Sequence, residues 1–390
     1  MRRVGWLGLL LGLTSCSQHR PQQPSAEPPP GWSLVTRYLD SAVAAGAAPG
    51  AVLAVSLGGR HLYHATGRLG VDDAVRPDSA TIYDLASLTK VVALTTMIQL
   101  LVENGDFELD APAARYVPAF SGDGRESVTL RHLLTHSSGL PAWRPLHLQS
   151  ATRAGAFALA DTTALEAPPG TRYVYSDLGG IVLTQAVEAR TGMRLDSLVH
   201  QHLIQPLGLH QTGYLPDPDL AGRIAPTEND PWRGRTLRGE VHDENASRLD
   251  GVSGHAGLFA SARDMLVIAD WLIGRWHGVA GQAAKRWSRE FTRRQDLPPG
   301  SSRALGWDTP SEGSSAGTRL GPESFGHTGF TGTSIWIDPV RDLAIVLLSN
   351  RVHPTRQNPR WGPVRAGVAD LVSAVSDSVA PAGGGAAPGE

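Results

Sequence analysis

The chain has 390 residues, of which 35 are Lys or Arg and 37 are Asp or Glu, so its formal net charge is −2. That length exceeds what one hydrophobic core usually fills and predicts either one large two-lobed unit or two domains. A content of 41% hydrophobic and 18% charged residues excludes a disordered acidic chain, and no Lys/Arg cluster of the kind that binds nucleic acid is present. Lysine occurs only at Lys90 and Lys285, and the other 33 basic residues are arginines.

The N-terminus has the pattern of an export signal. Arg2 and Arg3 precede an apolar run over residues 5–13, which is too short to span a bilayer, and residues 13–16 then read Leu-Thr-Ser-Cys, like a bacterial lipobox. We therefore predict that residues 1–16 are a lipoprotein signal peptide and that Cys16 is lipidated. The lipid would anchor the protein in the bacterial cell envelope, on the periplasmic side or the outer surface. An ordinary secretory signal with a chance cysteine is the alternative.

Cys16 is also the only cysteine of the chain, which excludes internal disulfides and thiolate metal clusters. After it, residues 17–31 are polar and proline-rich and predict an extended linker. Residues 379–390 are rich in Gly, Ala and Pro and predict a disordered tail. Residues 32–378 remain as one candidate domain without an internal repeat.

Hydrophobic spacing predicts the first elements of this domain. A helix over residues 34–45 precedes two short strands, 51–57 and 61–66, which Gly58-Gly59 joins as a hairpin. A second helix spans residues 87–102. Helices and long loops rich in Pro and Gly follow.

The C-terminal part repeats the strand pattern of the N-terminal part. Strands over residues 333–337 and 343–348 flank Asp338-Pro339 as a second hairpin, and a helix over residues 364–375 follows. Strands at both ends with helices between them predict an α/β fold. In this fold both chain ends build one sheet flanked by helices, and a mainly helical lobe is inserted.

The sharpest chemical signal is Ser87-Leu88-Thr89-Lys90, because residues three apart on a helix share a face. A serine hydroxyl is a poor nucleophile at neutral pH and needs an adjacent base. Arginine does not release its proton, whereas a desolvated lysine can. One of the two lysines of an arginine-rich chain therefore indicates a nucleophilic serine at this position; chance placement is the alternative.

Two further segments fit nucleophilic catalysis. Tyr175-Ser176-Asp177 follows the turn signal Pro168-Pro169-Gly170, and Tyr175 could relay a proton to a leaving group. On its own this residue would be an ordinary core or surface tyrosine. Gly326-His327-Thr328-Gly329-Phe330 lies just before a predicted strand, where small residues let a substrate backbone approach main-chain groups.

In this order the three segments resemble the motifs of the serine β-lactamase and penicillin-binding-protein superfamily. The closer likeness is to the branch of class C β-lactamases, D-alanyl-D-alanine carboxypeptidases and related esterases. Further similarity lies in Tyr83-Asp84-Leu85-Ala86, in residues 131–140 (RHLLTHSSGL) and in residues 254–265 (GHAGLFASARDM). The likeness covers nearly the whole exported domain and implies the β-lactamase/DD-peptidase-like fold, with an antiparallel sheet.

The resemblance also implies roles for the matched residues. Ser87 would be the nucleophile, Lys90 its general base or base partner, and Tyr175 the proton relay. The backbone N–H groups of Ser87 and Phe330 would form the oxyanion hole. An amide or ester would acylate Ser87, and water would then release the acyl group; no cofactor and no metal are expected.

Four more residues would contact the substrate, namely Asp177, His327, Thr328 and Gly329. Two of them depart from the usual pattern, since the family's third motif usually begins with lysine and its second usually ends in asparagine. A histidine with an ordinary pKa is mostly neutral at pH 7 unless a neighbour holds its proton. Asp177 could be that neighbour, or it could pair with Lys90 and raise its pKa. The two exchanges weaken the carboxylate anchor and predict poor turnover of classical β-lactams.

Residues 241–246 place several titratable groups in a predicted loop. A similar stretch borders the active site in related hydrolases, so His242 and Asp243 are candidates for substrate contact. A solvated loop with a helix cap is the alternative.

Other hydrolase classes fit less well. The chain has 14 histidines, but His132 and His136 lack the glutamate of an H-E-x-x-H zinc site. We predict a serine hydrolase that acts on an ester or peptide amide, with a small-molecule or peptidoglycan-derived substrate. Carboxypeptidase, esterase and weak β-lactamase activities remain open, and a non-catalytic lipoprotein that is acylated by penicillin or binds cell-wall peptide is the alternative.

Overall fold

The computed structural model describes residues 27–379. The predicted signal peptide, the lipidation site Cys16, most of the linker and nearly all of the predicted tail lie outside these residues. The first element begins at Trp32 and the last ends at Val379. Within the described range, none of the helices has both the length and the apolar character needed to cross a membrane.

The helices include twelve α-helical segments within the described residues. They are α1 Trp32–Ala44, α2 Thr96–Glu103, α3 Leu130–Leu134, α4 Leu146–Gln149, α5 Arg153–Asp161, α6 Asp177–Thr191, α7 Leu195–Val199, α8 Gln205–Leu207, α9 Glu244–Arg248, α10 Ala262–His277, α11 Gln282–Thr292 and α12 Trp361–Val379. Two π-helical segments, Lys90–Thr95 and His200–Ile204, precede α2 and α8, and short 3₁₀ helices cover Ala113–Arg115, Arg125–Ser127 and Pro218–Arg223.

The strands of the described chain are β1 Gly50–Leu57, β2 Arg60–Gly67, β3 Ile82–Asp84, β4 Gly213–Tyr214, β5 Asn229–Asp230, β6 Arg235–Thr236, β7 Leu258–Ser261, β8 Phe325–Thr328, β9 Ser334–Asp338 and β10 Leu343–Ser349. The largest sheet is antiparallel, with the order β2-β1-β10-β9-β8. A smaller sheet has the order β3-β7-β4, and β5 pairs with β6.

Strands β1, β8, β9 and β10 of the five-stranded sheet are buried on both faces, whereas the edge strand β2 is partly exposed. Leu53 and Val55 of β1 pack with α1 and α12, whereas Val52 and Ala54 face the core that includes α2, α6 and α10. The predicted α/β fold, with an antiparallel sheet built from both chain ends and a mainly helical insertion, is therefore confirmed. Gly58 and Gly59 both have positive φ, +57° and +78°, as a tight hairpin turn between β1 and β2 requires.

The predicted helix over residues 87–102 is present but not uniformly α-helical. It begins at residues 88–89, where the Lys90 N–H donates to the Ser87 carbonyl at 3.0 Å, and continues through the π-helical segment Lys90–Thr95 into α2. Hydrophobic periodicity does not distinguish a π turn from an α turn over so few residues. Such wider turns occur frequently at functional sites.

Candidate active site

The turn before Ser87 is held by Asp84 at the end of β3. The Asp84 carboxylate is buried and accepts hydrogen bonds from the N–H groups of Ala86 (2.8 Å) and His242 (2.7 Å), and burial raises its pKa. Ala86 has a φ of +47°, a left-handed conformation that costs a non-glycine residue free energy. The buried carboxylate therefore fixes the strained residue that presents Ser87.

The loop after β8 is attached to the same turn. The Thr331 hydroxyl donates to the Asp84 carbonyl (2.7 Å), and the Thr333 hydroxyl donates to the Leu85 carbonyl (2.9 Å). A Cβ on Gly329 would lie 2.3 Å from the Leu85 carbonyl oxygen. Gly329 is thus required for the approach of the protein's own backbone, and this approach brings Phe330 to the cavity that contains Ser87. The oxyanion-hole role of Ser87 and Phe330 stays a prediction.

Lys90 is buried and contacts the serine as its spacing predicts. Its Nζ lies 3.0 Å from Ser87 Oγ, 3.0 Å from the His255 carbonyl oxygen and 2.7 Å from Asp177 Oδ1. An ammonium group has three N–H donors; Ser87 Oγ and the His255 carbonyl each accept one, and Asp177 forms an ion pair with the group. Burial lowers the pKa of Lys90, but the charge of Asp177 and the nearby Tyr175 outweigh burial and raise that pKa above its ordinary value. Of the two partners considered for Asp177, the structure therefore gives Lys90.

Tyr175 lies in the same cavity as Ser87, and its ring centre is 5.0 Å from Lys90 Nζ. Its hydroxyl oxygen is buried and has no hydrogen-bond partner among the described residues. The His136 ring packs against it with a centroid distance of 4.5 Å. His136 also holds the adjacent backbone, because its carbonyl accepts from Val174 N–H (2.9 Å) and its Nδ1 accepts from Ser176 N–H (3.1 Å).

His327 is neutral in this environment. Burial, with Arg303 and Lys90 nearby, holds its pKa well below the ordinary value. Its Nδ1 lies 2.8 Å from the Thr328 carbonyl, which can only accept, so Nδ1 carries the proton. Nε2 is then a hydrogen-bond acceptor, and it is buried without a partner among the described residues. At the position where the family usually has a lysine cation, this chain therefore has a neutral histidine that can accept a hydrogen bond.

Positive charge reaches the cavity from three arginines that sequence reasoning missed. Arg303 lies over the Tyr175 ring at 5.3 Å, and Arg351 lies over the Phe330 ring at 4.7 Å. Arg365 donates to the carbonyls of Gly329 (2.5 Å) and Thr333 (3.0 Å). Burial and Arg351 lower the pKa of Arg365 to about 9, which leaves it a cation at neutral pH.

The cavity in front of Ser87 has a volume of about 530 Å³. It is lined by Ser87, Tyr173, Tyr175, Arg303, His327, Thr328, Gly329, Phe330, Arg351, Asn358, Pro359, Gly362 and Arg365. A second cavity of about 480 Å³ continues behind His327 towards Trp336 and shares Arg303 and Arg365 with the first. Most of the predicted site residues thus meet around one opening.

The two loop candidates for substrate contact lie elsewhere. His242 is buried and pairs with Glu228 at 2.9 Å, and its ring stacks on the Phe330 ring from behind the cavity wall. Asp243 caps α9 by accepting from Ala246 N–H (2.7 Å) and contacts His255 Nε2 (2.9 Å). Neither residue lines the cavity, so the structure favours the helix-cap interpretation of Asp243 over substrate contact.

In residues 27–379, no group of three or more His, Cys, Asp or Glu side chains is arranged to hold a metal ion. His132, one of the two histidines weighed as zinc ligands, accepts the Thr129 N–H at 3.2 Å and so completes a cap at the start of α3. The other, His136, supports Tyr175.

The fold and the Ser87–Lys90 pair define a serine hydrolase of the β-lactamase and penicillin-binding-protein-like superfamily. The chain belongs to the beta-lactamase family, whose model matches residues 35–370. A putative D-alanyl-D-alanine carboxypeptidase of Salmonella schwarzengrund is 34% identical over 321 residues, which cover 74% of each chain.

Solved structures show the same fold. A penicillin-binding-protein homologue from Caulobacter crescentus is 19% identical with a TM-score of 0.72, covering 89% of this chain and 98% of the other. A class C β-lactamase from Rhodobacter sphaeroides is 24% identical with a TM-score of 0.68, covering 87% of this chain and 99% of the other.

Proposed function

We propose that this protein is a carboxypeptidase-type serine hydrolase that cleaves a peptide amide or ester bearing a carboxylate, through an acyl-Ser87 intermediate. The main observation behind this proposal is that Ser87, which contacts Lys90, lies in a cavity that is also lined by Arg303, Arg351 and Arg365. Arginine recognises carboxylates through paired hydrogen bonds. Arg303 is already paired with Asp308 at 3.6 Å, whereas Arg351 and Arg365 have no carboxylate partner among the described residues and are free to bind an anion. The likeness to D-alanyl-D-alanine carboxypeptidases supports a D-alanyl peptide of the cell wall as substrate.

In the proposed reaction, Ser87 Oγ attacks the substrate carbonyl, and the serine proton passes to whichever of Lys90 and Tyr175 is in its deprotonated form. The N–H groups of Ser87 and Phe330 stabilise the oxyanion of the tetrahedral intermediate. The intermediate collapses by breaking the bond to the amine or alcohol, which leaves with a proton delivered through Tyr175. Water then attacks acyl-Ser87 and gives a proton to the same groups, which pass it to Ser87 Oγ as the bond to the acid product breaks.

The test of this proposal is intact-mass spectrometry of residues 32–379 with three probes: a D-alanyl-D-alanine peptide, a penicillin and a short-chain nitrophenyl ester. We expect acylation and release with the peptide and the ester, and slow release with penicillin because Asp177 and His327 replace the usual residues. The C-terminal amide of the same peptide is the matched control and should react more slowly, because it lacks the charge that the arginines bind. Equal rates for acid and amide, or fast penicillin hydrolysis, would contradict this assignment.

A second candidate function is acylation without turnover. The pairing of Lys90 with Asp177 favours it, because a lysine that keeps its proton activates the deacylating water poorly. A stable mass adduct with penicillin or peptide, without release over hours, would support this function. A burst followed by steady product release would support the hydrolase.

We further propose that the protein acts in the bacterial cell envelope, anchored through lipid on Cys16. The lipobox-like sequence before Cys16 supports this location. Metabolic labelling of the full chain with a fatty-acid analogue should mark the protein, and Cys16→Ser should abolish the label. Labelling that persists in Cys16→Ser would overturn the anchor.

A further inference from the structure

The turn over residues 253–257 contacts the catalytic lysine through its backbone. The His255 carbonyl accepts from Lys90 Nζ at 3.0 Å and is one of three partners of that ammonium group, with Ser87 Oγ and the Asp177 carboxylate. A main-chain oxygen cannot change rotamer, so its position depends on whatever fixes the peptide of His255.

Both ring nitrogens of His255 have partners. Nε2 lies 2.9 Å from Asp243 Oδ1 and Nδ1 lies 2.7 Å from Ser253 Oγ, and only 1% of the residue is exposed. Burial raises the pKa of Asp243, but His255, the Ala246 N–H and Lys90 outweigh burial and hold that pKa well below its ordinary value. The charged Asp243 carboxylate thus holds the His255 ring at its Nε2 atom.

The turn has no room to shift. Gly254 N–H donates to Thr184 Oγ1 on α6 at 2.7 Å, and a Cβ on Gly254 would lie 2.6 Å from Leu94 Cδ2. A Cβ on Gly180 would lie 3.0 Å from His255 Cβ. The turn is therefore wedged between α6 and the π-helical segment that contains Lys90.

We propose that His255 and Asp243 form a buried positioning pair for Lys90: Asp243 orients the His255 ring, and the ring holds the His255 carbonyl against Lys90 Nζ. This inference rests on the proposed acylation of Ser87. It gives a role to two sequence features that substrate contact does not explain, namely the 254–257 segment and Asp243. Both residues act through Lys90 and touch no substrate.

The test measures burst kinetics with p-nitrophenyl butyrate on the full chain at the pH of maximal rate. His255→Ala and Asp243→Ala should lower the burst rate constant about 10- to 100-fold, the range expected when a reacting group is misplaced. The substrate concentration that half-saturates the burst should not change, because the cavity wall is intact. His255→Gln and Asp243→Asn keep a donor and an acceptor at the same places and should recover most of the rate.

Asp264→Ala is the matched control, because Asp264 is also a buried carboxylate near a helix N-terminus and accepts from Gln211 N–H (2.7 Å) and Thr212 Oγ1 (2.9 Å). It should lower the Tm without lowering the burst rate constant. If His255→Ala does not fold, Asp243→Ala with its Asp243→Asn partner carries the test.

The outcomes separate the two proposals. Burst rates within about twofold of the unchanged chain in the alanine variants, or a loss that His255→Gln and Asp243→Asn do not recover, would overturn the positioning pair. An equal loss in Asp264→Ala would reduce the effect to general stability and overturn it as well. Absence of both a mass adduct and product release in the unchanged chain would instead overturn the acyl-serine function, and the positioning role with it.

Discussion

The two walls of the active-site cavity differ in how completely their polar atoms are paired. On the wall that carries Lys90, its ammonium group donates to Ser87 Oγ and to the His255 carbonyl and forms an ion pair with Asp177, although Asp177 Oδ1 lacks hydrogen-bond geometry. On the facing side, His327 Nε2, Arg303 Nη1 and Arg365 Nε are buried without a hydrogen-bond partner among the described residues. Buried polar atoms are normally paired, so a cluster of unpaired ones marks a place where something else binds.

The difference in pairing suits the two walls of the cavity to two different tasks. The paired wall is preorganised and needs nothing further to hold Ser87 and Lys90 in contact, which suits the chemical step. The unpaired wall offers a hydrogen-bond acceptor at His327 and cations at Arg303 and Arg365, which suits recognition. Substitutions on the first wall should therefore change the rate of acylation, and substitutions on the second should change the affinity for substrate.

The largest effect is expected from Ser87→Ala, which removes the attacking oxygen of the paired wall. Acylation should disappear and kcat should fall by about a thousandfold or more. Intact mass and nitrophenolate release from a nitrophenyl ester measure both. Ser41→Ala, at an exposed position on α1, should keep full activity; near-normal turnover by Ser87→Ala would refute the nucleophile assignment.

Lys90→Arg should be nearly as harmful, with a loss of about a hundredfold or more. It keeps the charge, but the guanidinium is larger and does not release a proton, so neither the proton transfer nor the fit to Ser87 and His255 survives. Lys285→Arg exchanges the only other lysine, on α11, and should leave activity unchanged. Comparable rates for the two variants would show that the paired wall needs only positive charge.

On the unpaired wall, Arg365→Gln should raise KM about tenfold for a peptide with a free C-terminal carboxylate, because a charge-assisted hydrogen bond is lost. The kcat value should change much less, and the KM for the C-terminal amide should stay the same. Arg37→Gln, exposed on α1, is the control. A fall in kcat with unchanged KM would assign Arg365 to the chemical step instead.

The smallest effect is expected from Asp177→Asn, which restores the residue usual in the family. Asp177 raises the pKa of Lys90, so its removal should lower that pKa and shift the limb of the pH–rate profile that belongs to Lys90 to lower pH, by about one unit. The direction is the same whether the charged or the neutral lysine is the active form. A profile that does not move would mean that Asp177 does not set the charge of Lys90.

The sequence predicted the paired wall better than the unpaired one. The three-residue spacing of Ser87 and Lys90 gives the predicted contact because the π-helical segment begins only at Lys90 and leaves the preceding turn intact. The Asp177–Lys90 pair was one of two alternatives, and only the packing of α6 against the π-helical segment decides between them.

The arginines of the unpaired wall carried no signal of their own. Arg303 and Arg365 lie in a loop and in α12, far apart in the chain, and in a protein with 33 arginines neither position stands out. His242 and Asp243 were closer to a prediction, since the loop does contain a helix cap. His255, the partner of Asp243, lies in residues 254–265, which sequence reasoning had already identified as similar to the family. The presence of a helix-cap aspartate and of this segment in one chain is the signal that could have indicated the pair.

The pairing of β1 with β10 has a consequence for the order in which the molecule can be completed. Ala51 of β1 lies opposite Ser349 of β10. The edge of β1 that does not face β2 therefore stays unpaired until nearly the whole chain has been made. Arg365 of the cavity and the helix that covers the outer face of the sheet come later still. A nascent chain therefore already contains Ser87 and Lys90 long before it can fold around them, and the hydrolase becomes competent only with its last strand and helix.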